Sequence, residues 1–226
     1  MAEDMHQVLS LDDKGASSAL NAPSKLFRSI LADLNIDRQA WDKLMRQFIN
    51  NPKNGIPNTP SKRSSERSNL NRALSKDRIT WRTFRKAIQL LNPKNCTYEL
   101  ELVWDKRMTL PNEPPLIIKH VPQNRQDELF TMFGRVLTDI GSTPKLWGRL
   151  VDRYLDRQND SVSRNPPDRS TERGNIGKAI MSKHEYTWET FVKGLSIVGV
   201  RRATLTINLT WGRKTTCHSY TFKTDA

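Results

Sequence analysis

Chemically reactive side chains are scarce in this chain. It holds four histidines and two cysteines among 226 residues. There is no HExxH or CxxC spacing, which removes the common zinc and dithiol motifs, and no glycine-rich phosphate loop follows a strand-like segment. His6, His120, His184 and His218 share no repeated position. Cys217 and His218 are neighbours in an alternating segment, so on a strand they point to opposite faces, the wrong geometry for a thiolate–imidazole pair. Cys96 and Cys217 do not occupy matching places either, and both are expected to be free thiols in a reducing compartment. The acid pairs Asp12-Asp13 and Asp127-Glu128 fall in an expected tail and linker. No apolar run approaches membrane-spanning length. The start, MAEDMHQVLSLDDKG, lacks the basic-then-apolar order of a signal peptide. These absences predict a cytoplasmic, non-enzymatic protein without metal, cofactor or membrane contact.

What is abundant is positive charge. Thirty-seven Lys and Arg face 24 Asp and Glu, a net +13. Such an excess attracts polyanions, nucleic acid before an acidic protein surface. Aromatic residues are only 8% of the chain, too few in the strand-like segments for a base-stacking sheet of the RNA-recognition type.

A long stretch also occurs twice. RSSERSNLNRALSKDRITWRTFRKAIQLLNPKNCTYELELVW, from Arg63, returns as RSTERGNIGKAIMSKHEYTWETFVKGLSIVGVRRATLTINLTW, from Arg169. Ser64, Glu66, Arg67, Asn69 and Ala73 recur at Ser170, Glu172, Arg173, Asn175 and Ala179. After a one-residue insertion, Thr80, Trp81, Phe84, Lys86 and Trp104 recur at Thr187, Trp188, Phe191, Lys193 and Trp211. Self-similarity of this kind predicts a tandem duplication. The expected layout is a flexible tail over 1–23, a first module over 24–122 and a second over 123–226.

Each module is expected to be α+β, about four helices followed by a β-hairpin. The first helix starts at Ser24 and carries Leu26, Phe27, Ile30 and Leu31 on one stripe. The second is capped by Asp37, or by Thr143 ahead of Pro144, and buries Trp41, Leu44, Met45 and Phe48 or Trp147, Leu150, Val151 and Tyr154. Polar loops over 50–62 and 158–168 follow. A third helix starts at Ser64/Ser65 or Ser170/Thr171. Thr80 and Thr187 cap a fourth, ended by Asn92-Pro93 and Gly199. Period-two segments, Tyr98 to Trp104 and Leu205 to Trp211, predict strands. Leu116–Val121 predicts a further one, with a turn over 105–107 toward Met108–Leu110 before it. The hairpin edges need partners, and pairing between modules supplies them.

The repeated R-S-[ST]-E-R-x-N signature has two readings. As an anion site, a Ser-rich helix start joins Arg63 and Arg67, or Arg169 and Arg173, to clamp a phosphate. As structure, Arg67 and Arg173 share a stripe with inward residues and are satisfied by Glu66 and Asn69, or Glu172 and Asn175, in a polar network. Stripe geometry favours the second. Better contact candidates are basic positions kept in both halves away from the apolar stripes: Lys43/Arg149, Arg63/Arg169, Arg72/Lys178 and Lys86/Lys193. Exchange of Lys for Arg keeps charge but not fork geometry, which suits phosphate contact. The first half adds Arg82 and Arg85, replaced by Glu189 and Val192, so the modules are expected to bind unequally.

The signature, with its T-W-x-x-F-x-K helix and following alternating strand, resembles small uncharacterised proteins of large tailed bacteriophages. That resemblance spans 24–110 and 129–222, implies a phage origin and a host-cytoplasm setting, and assigns no site residue. Taken with the charge, it leads to an expected nucleic-acid-binding protein, RNA or DNA, of low sequence specificity. The alternatives are a virion structural or assembly protein, and an inhibitor that binds a host protein.

Overall fold

The computed structural model describes residues 7–9, 19–75, 78–104, 116–120, 128–157, 166–181 and 186–224. It is α+β. In chain order come β1 (Gln7–Leu9), α1 (Ala22–Asp33), α2 (Arg38–Asn50), a 3-10 turn (Pro52–Asn54), α3 (Pro60–Ser75), α4 (Trp81–Leu90), β2 (Asn95–Trp104) and β3 (Leu116–His120). Then follow α5 (Glu128–Asp139), α6 (Pro144–Arg157), α7 (Pro166–Met181), α8 (Trp188–Ile197), β4 (Val200–Trp211) and β5 (Lys214–Lys223). The strands form one sheet in the order β1-β5-β4-β2-β3. β2 and β3 are antiparallel with Tyr98 opposite His120, whereas β1 runs parallel to β5 with Gln7 opposite His218.

Local chemistry explains most boundaries. The Asp37 carboxylate accepts from Ala40 N–H at 2.7 Å and caps α2, and Thr143 accepts from Leu146 N–H at 3.2 Å to cap α6. Thr80 and Thr187 accept from Thr83 and Thr190 N–H, each at 3.1 Å. α4 and α8 both end on a left-handed residue, Asn92 (φ 51°) and Gly199 (φ 79°), the conformation that stops a helix while satisfying its last carbonyls. Alternate burial along β2 and β4 keeps Tyr98, Leu100 and Leu102, and Leu205, Ile207 and Leu209, inside.

Two boundaries differ from expectation. α3 starts at Pro60 and α7 at Pro166, four positions before the Ser-rich run. Proline favours the first helical position, where its missing N–H costs nothing. The expected tail over 1–23 is also interrupted: β1 pairs with β5, and Ala19, Ala22 and Pro23 are buried. The expected turn over 105–107, Met108–Leu110, the linker around 122–127 and most of the 158–168 loop lie outside the described residues.

The chain forms two compact units. One is built from Asn21–Thr97 and Thr206–Tyr220 with the first strand, the other from Tyr98–Leu205 with Thr221–Ala226 and Leu11–Leu20. In the first unit Phe27 stands edge-on to Trp41 at 5.2 Å and to Phe84 at 6.5 Å. In the second, Phe133 meets Trp147 at 6.3 Å and Phe191 at 6.5 Å in the same edge-on manner. Trp41, Trp81 and Trp188 are buried, whereas Trp147 is only half-buried. Gly194 is needed here because a Cβ at that position would lie 2.7 Å from the Phe133 ring. Within the first unit Trp211 Nε1 donates to Leu91 O at 2.9 Å, and within the second Trp104 Nε1 donates to Val198 O at 3.1 Å.

Candidate functional site

α3 is polar on nearly every side: of its sixteen residues only Leu70 and Ala73 are buried. A helix of this kind needs neighbours or ligands for its charges. Between α3, the start of α4 and the loop after α2 lies a groove of about 710 Å³, lined by Lys62, Ser65, Glu66, Asn69, Arg72, Arg78, Thr80, Arg82 and Lys86 among others. Among the described residues, five cations therefore share one concavity with a single carboxylate. Glu66 accepts from Lys86 Nζ at 2.5 Å, with the Glu66 side chain only 12% exposed. Lys62, Arg72, Arg78 and Arg82 make no ion pair among the described residues, and Arg72 and Arg82 are exposed. Guanidinium forks held over a recess can take phosphate oxygens two at a time.

The groove brings together Arg72, Arg82 and Lys86 of the expected contact set, and leaves others outside. Lys43 is exposed on α2 beside Arg46 and Gln47, lining a separate depression of about 320 Å³. Arg63 and Arg85 do not line the groove. In the second unit Arg149 and Lys178 are exposed. Lys193 faces Glu172 at 3.7 Å and stands 6.0 Å from the Tyr154 ring centre. Arg169 is held by Asp156 at 2.5 Å and by the Asp152 carbonyl at 3.2 Å.

The expected polar network is rearranged. Arg67 and Asn69 are exposed, as are Arg173 and Asn175, because these residues project away from Leu70 and Ala73 and from Ile176 and Ile180. The partner of Glu66 is Lys86, twenty residues on, and the partner of Glu172 is Lys193. Arg173 instead pairs with Asp152 at 3.4 Å, half exposed. The Ser-rich run lies inside α3 and α7, so it presents no free N–H cluster for an anion clamp.

One cluster escaped the sequence reading. His218 on β5 is 0% exposed, its Nδ1 lies 3.1 Å from Ser29 Oγ, and Asp33 Oδ2 lies 3.6 Å from its Nε2. A Ser, a His and an Asp are the residue types of a nucleophile, base and orienter. Here the ring is sealed and Ser29 is only 9% exposed, so the contact ties α1 to β5. Burial, opposed by Asp33 and aided by Lys214, pushes the His218 pKa below its ordinary 6.5. Lys62, Arg78 and Arg46 were also missed. They are basic in the first half alone, and only the topology shows that the first two line the groove.

Cys96 and Cys217 are half-buried and take part in no disulfide among the described residues. Among the described residues no helix is long and apolar enough to cross a membrane. Comparison with protein-family models, curated proteins and solved structures finds no match to the chain.

Proposed function

We propose that the protein is a non-enzymatic nucleic-acid-binding protein that contacts phosphates with low sequence specificity, through the groove beside α3. The observation that carries this reading is the convergence of Lys62, Arg72, Arg78, Arg82 and Lys86 on one recess where, among the described residues, Glu66 is the one carboxylate. Polyanion backbones are the ligands that a dense, weakly neutralised basic recess attracts most strongly. The chain's net +13 adds long-range attraction to the same ligand class.

The reading includes two tandem modules of unequal strength. The repeated identities support it, as do the paired helix caps, the two edge-on aromatic sets, and the matched Glu66–Lys86 and Glu172–Lys193 pairs. The two strand-end tryptophans, each bonded to the carbonyl that closes a helix, add a further correspondence. In this reading the second module is the weaker, since Glu189 stands where the first has Arg82. A phage origin and a cytoplasmic setting belong to the same proposal, from the resemblance of the signature.

Fluorescence anisotropy of labelled single- and double-stranded oligonucleotides tests it. Arg72→Gln with Arg82→Gln should weaken binding by about tenfold or more without moving the melting temperature, since each is an exposed charge. Unchanged affinity in that variant would remove the groove from the account.

A further inference from the structure

The two halves handle the same arginine pair in opposite ways. On α7, Arg169 reaches Asp156 at 2.5 Å and Arg173 reaches Asp152 at 3.4 Å. Those acids stand one turn apart on α6. At the repeat-matched places α2 carries Arg46 where α6 has Asp152, and Asn50 where α6 has Asp156. α2 packs on α3 as α6 packs on α7. By the repeat, the helix packed on α3 thus carries a guanidinium and an amide where the helix packed on α7 carries the two carboxylates that hold Arg169 and Arg173.

Little in the first half compensates this. Gly148 precedes Asp152 by one turn and leaves room for the Arg173 guanidinium, whose Nη2 would lie 2.6 Å from a Cβ at that place. The matched residue is Asp42, which makes no ion pair with Arg67 or Arg46 among the described residues. One carboxylate thus accompanies three guanidiniums, against two with two in the second half. Arg63 Nε is buried and has no hydrogen-bond partner among the described residues, a cost that native proteins normally avoid or use. Three like charges with one carboxylate among them keep a net repulsion, and a bound oxyanion removes both penalties.

We infer that Arg46, Arg63 and Arg67 form an oxyanion site for one phosphate group, and that Asp152 and Asp156 fill the corresponding place of the second half from within the chain. None of the three arginines lines the groove. The inference rests on the phosphate-binding reading and deepens it: a phosphodiester running over α3 would be held on two faces of that helix. The same chemistry would accept free inorganic phosphate.

The test is isothermal titration of the full chain with inorganic phosphate and, separately, with an oligonucleotide. Wild type should bind one phosphate. Arg46→Asp with Asn50→Asp installs the second half's pattern and should weaken phosphate binding about tenfold or more while the melting transition stays cooperative. If that variant melts early, the reciprocal change decides. Asp152→Arg with Asp156→Asn alters only partly exposed pairs, which contribute little to stability, and should create a second phosphate site. Equal phosphate affinity in wild type and the first variant, or no second site in the reciprocal one, overturns the assignment. Phosphate bound without oligonucleotide keeps this site and removes the nucleic-acid reading. Oligonucleotide bound equally by wild type and the first variant, with no phosphate uptake, does the reverse.

Discussion

Replacing His218 with Gln should flatten the dependence of stability on pH between about 5 and 7, the window around the ordinary imidazole pKa. In the folded chain the ring is sealed, bonded through Nδ1 to Ser29 at 3.1 Å, with Lys214 nearby and Asp33 only partly compensating. Burial therefore holds the folded-state pKa below 6.5. The unfolded chain takes up the proton first as pH falls, so the folded state is fully favoured above that value. It loses ground below it until the folded ring also protonates. While one proton separates the two states, stability falls by up to about 1.4 kcal/mol per pH unit. Urea midpoints at half-unit steps should show this slope in wild type. The Gln variant should lack this increment, because its amide cannot titrate, while starting about 1–2 kcal/mol lower at pH 8 through lost packing and hydrogen bonding. His6, His120 and His184 are present in both proteins, so the difference between the curves isolates His218. Parallel curves would refute the reasoning.

Three further outcomes are expected. Arg67→Ala, at an exposed position, should change stability by no more than about 0.5 kcal/mol in chemical denaturation, whereas an inward network role would cost several times that. Gly194→Ala should cost about 1–3 kcal/mol, since its methyl would meet the Phe133 ring at 2.7 Å and a packed ring has little room to move. Trp211→Phe should cost about 1 kcal/mol by removing the bond to Leu91 O, again read from the denaturation midpoint.

Features set by neighbouring residues were legible in the sequence. Asp37, Thr143, Thr80 and Thr187 cap the helices they precede, and period-two burial marks β2 and β4, because caps and pleats depend on residues a few positions apart. Ser64 and Ser65 have the chemistry of caps, but Pro60 already supplies a favourable first position, so α3 starts four residues earlier. Stripe geometry points Arg67 inward, but the buried side of α3 is only Leu70 and Ala73 wide. Glu66 finds its partner on another helix, and Ser29 meets His218 across 189 positions of chain. No local pattern encodes such meetings. The groove was half visible: a basic residue kept in both halves marks Arg72 and Lys86, whereas Lys62 and Arg78 are carried by the first half alone.

The central claim is that unpaired cations in the groove neutralise phosphates, and it is tested most directly by the salt dependence of oligonucleotide binding. Lys62, Arg72, Arg78 and Arg82 line the recess without acidic partners among the described residues. Each phosphate neutralised on duplex DNA contributes a slope of about −0.9 in log K against log salt. Full engagement of the four therefore predicts a slope of roughly −3 to −4 between about 50 and 200 mM salt, shrinking by nearly 2 when Arg72 and Arg82 are both changed to Gln. A full chain that shows no salt-sensitive binding to single- or double-stranded RNA or DNA would contradict the claim.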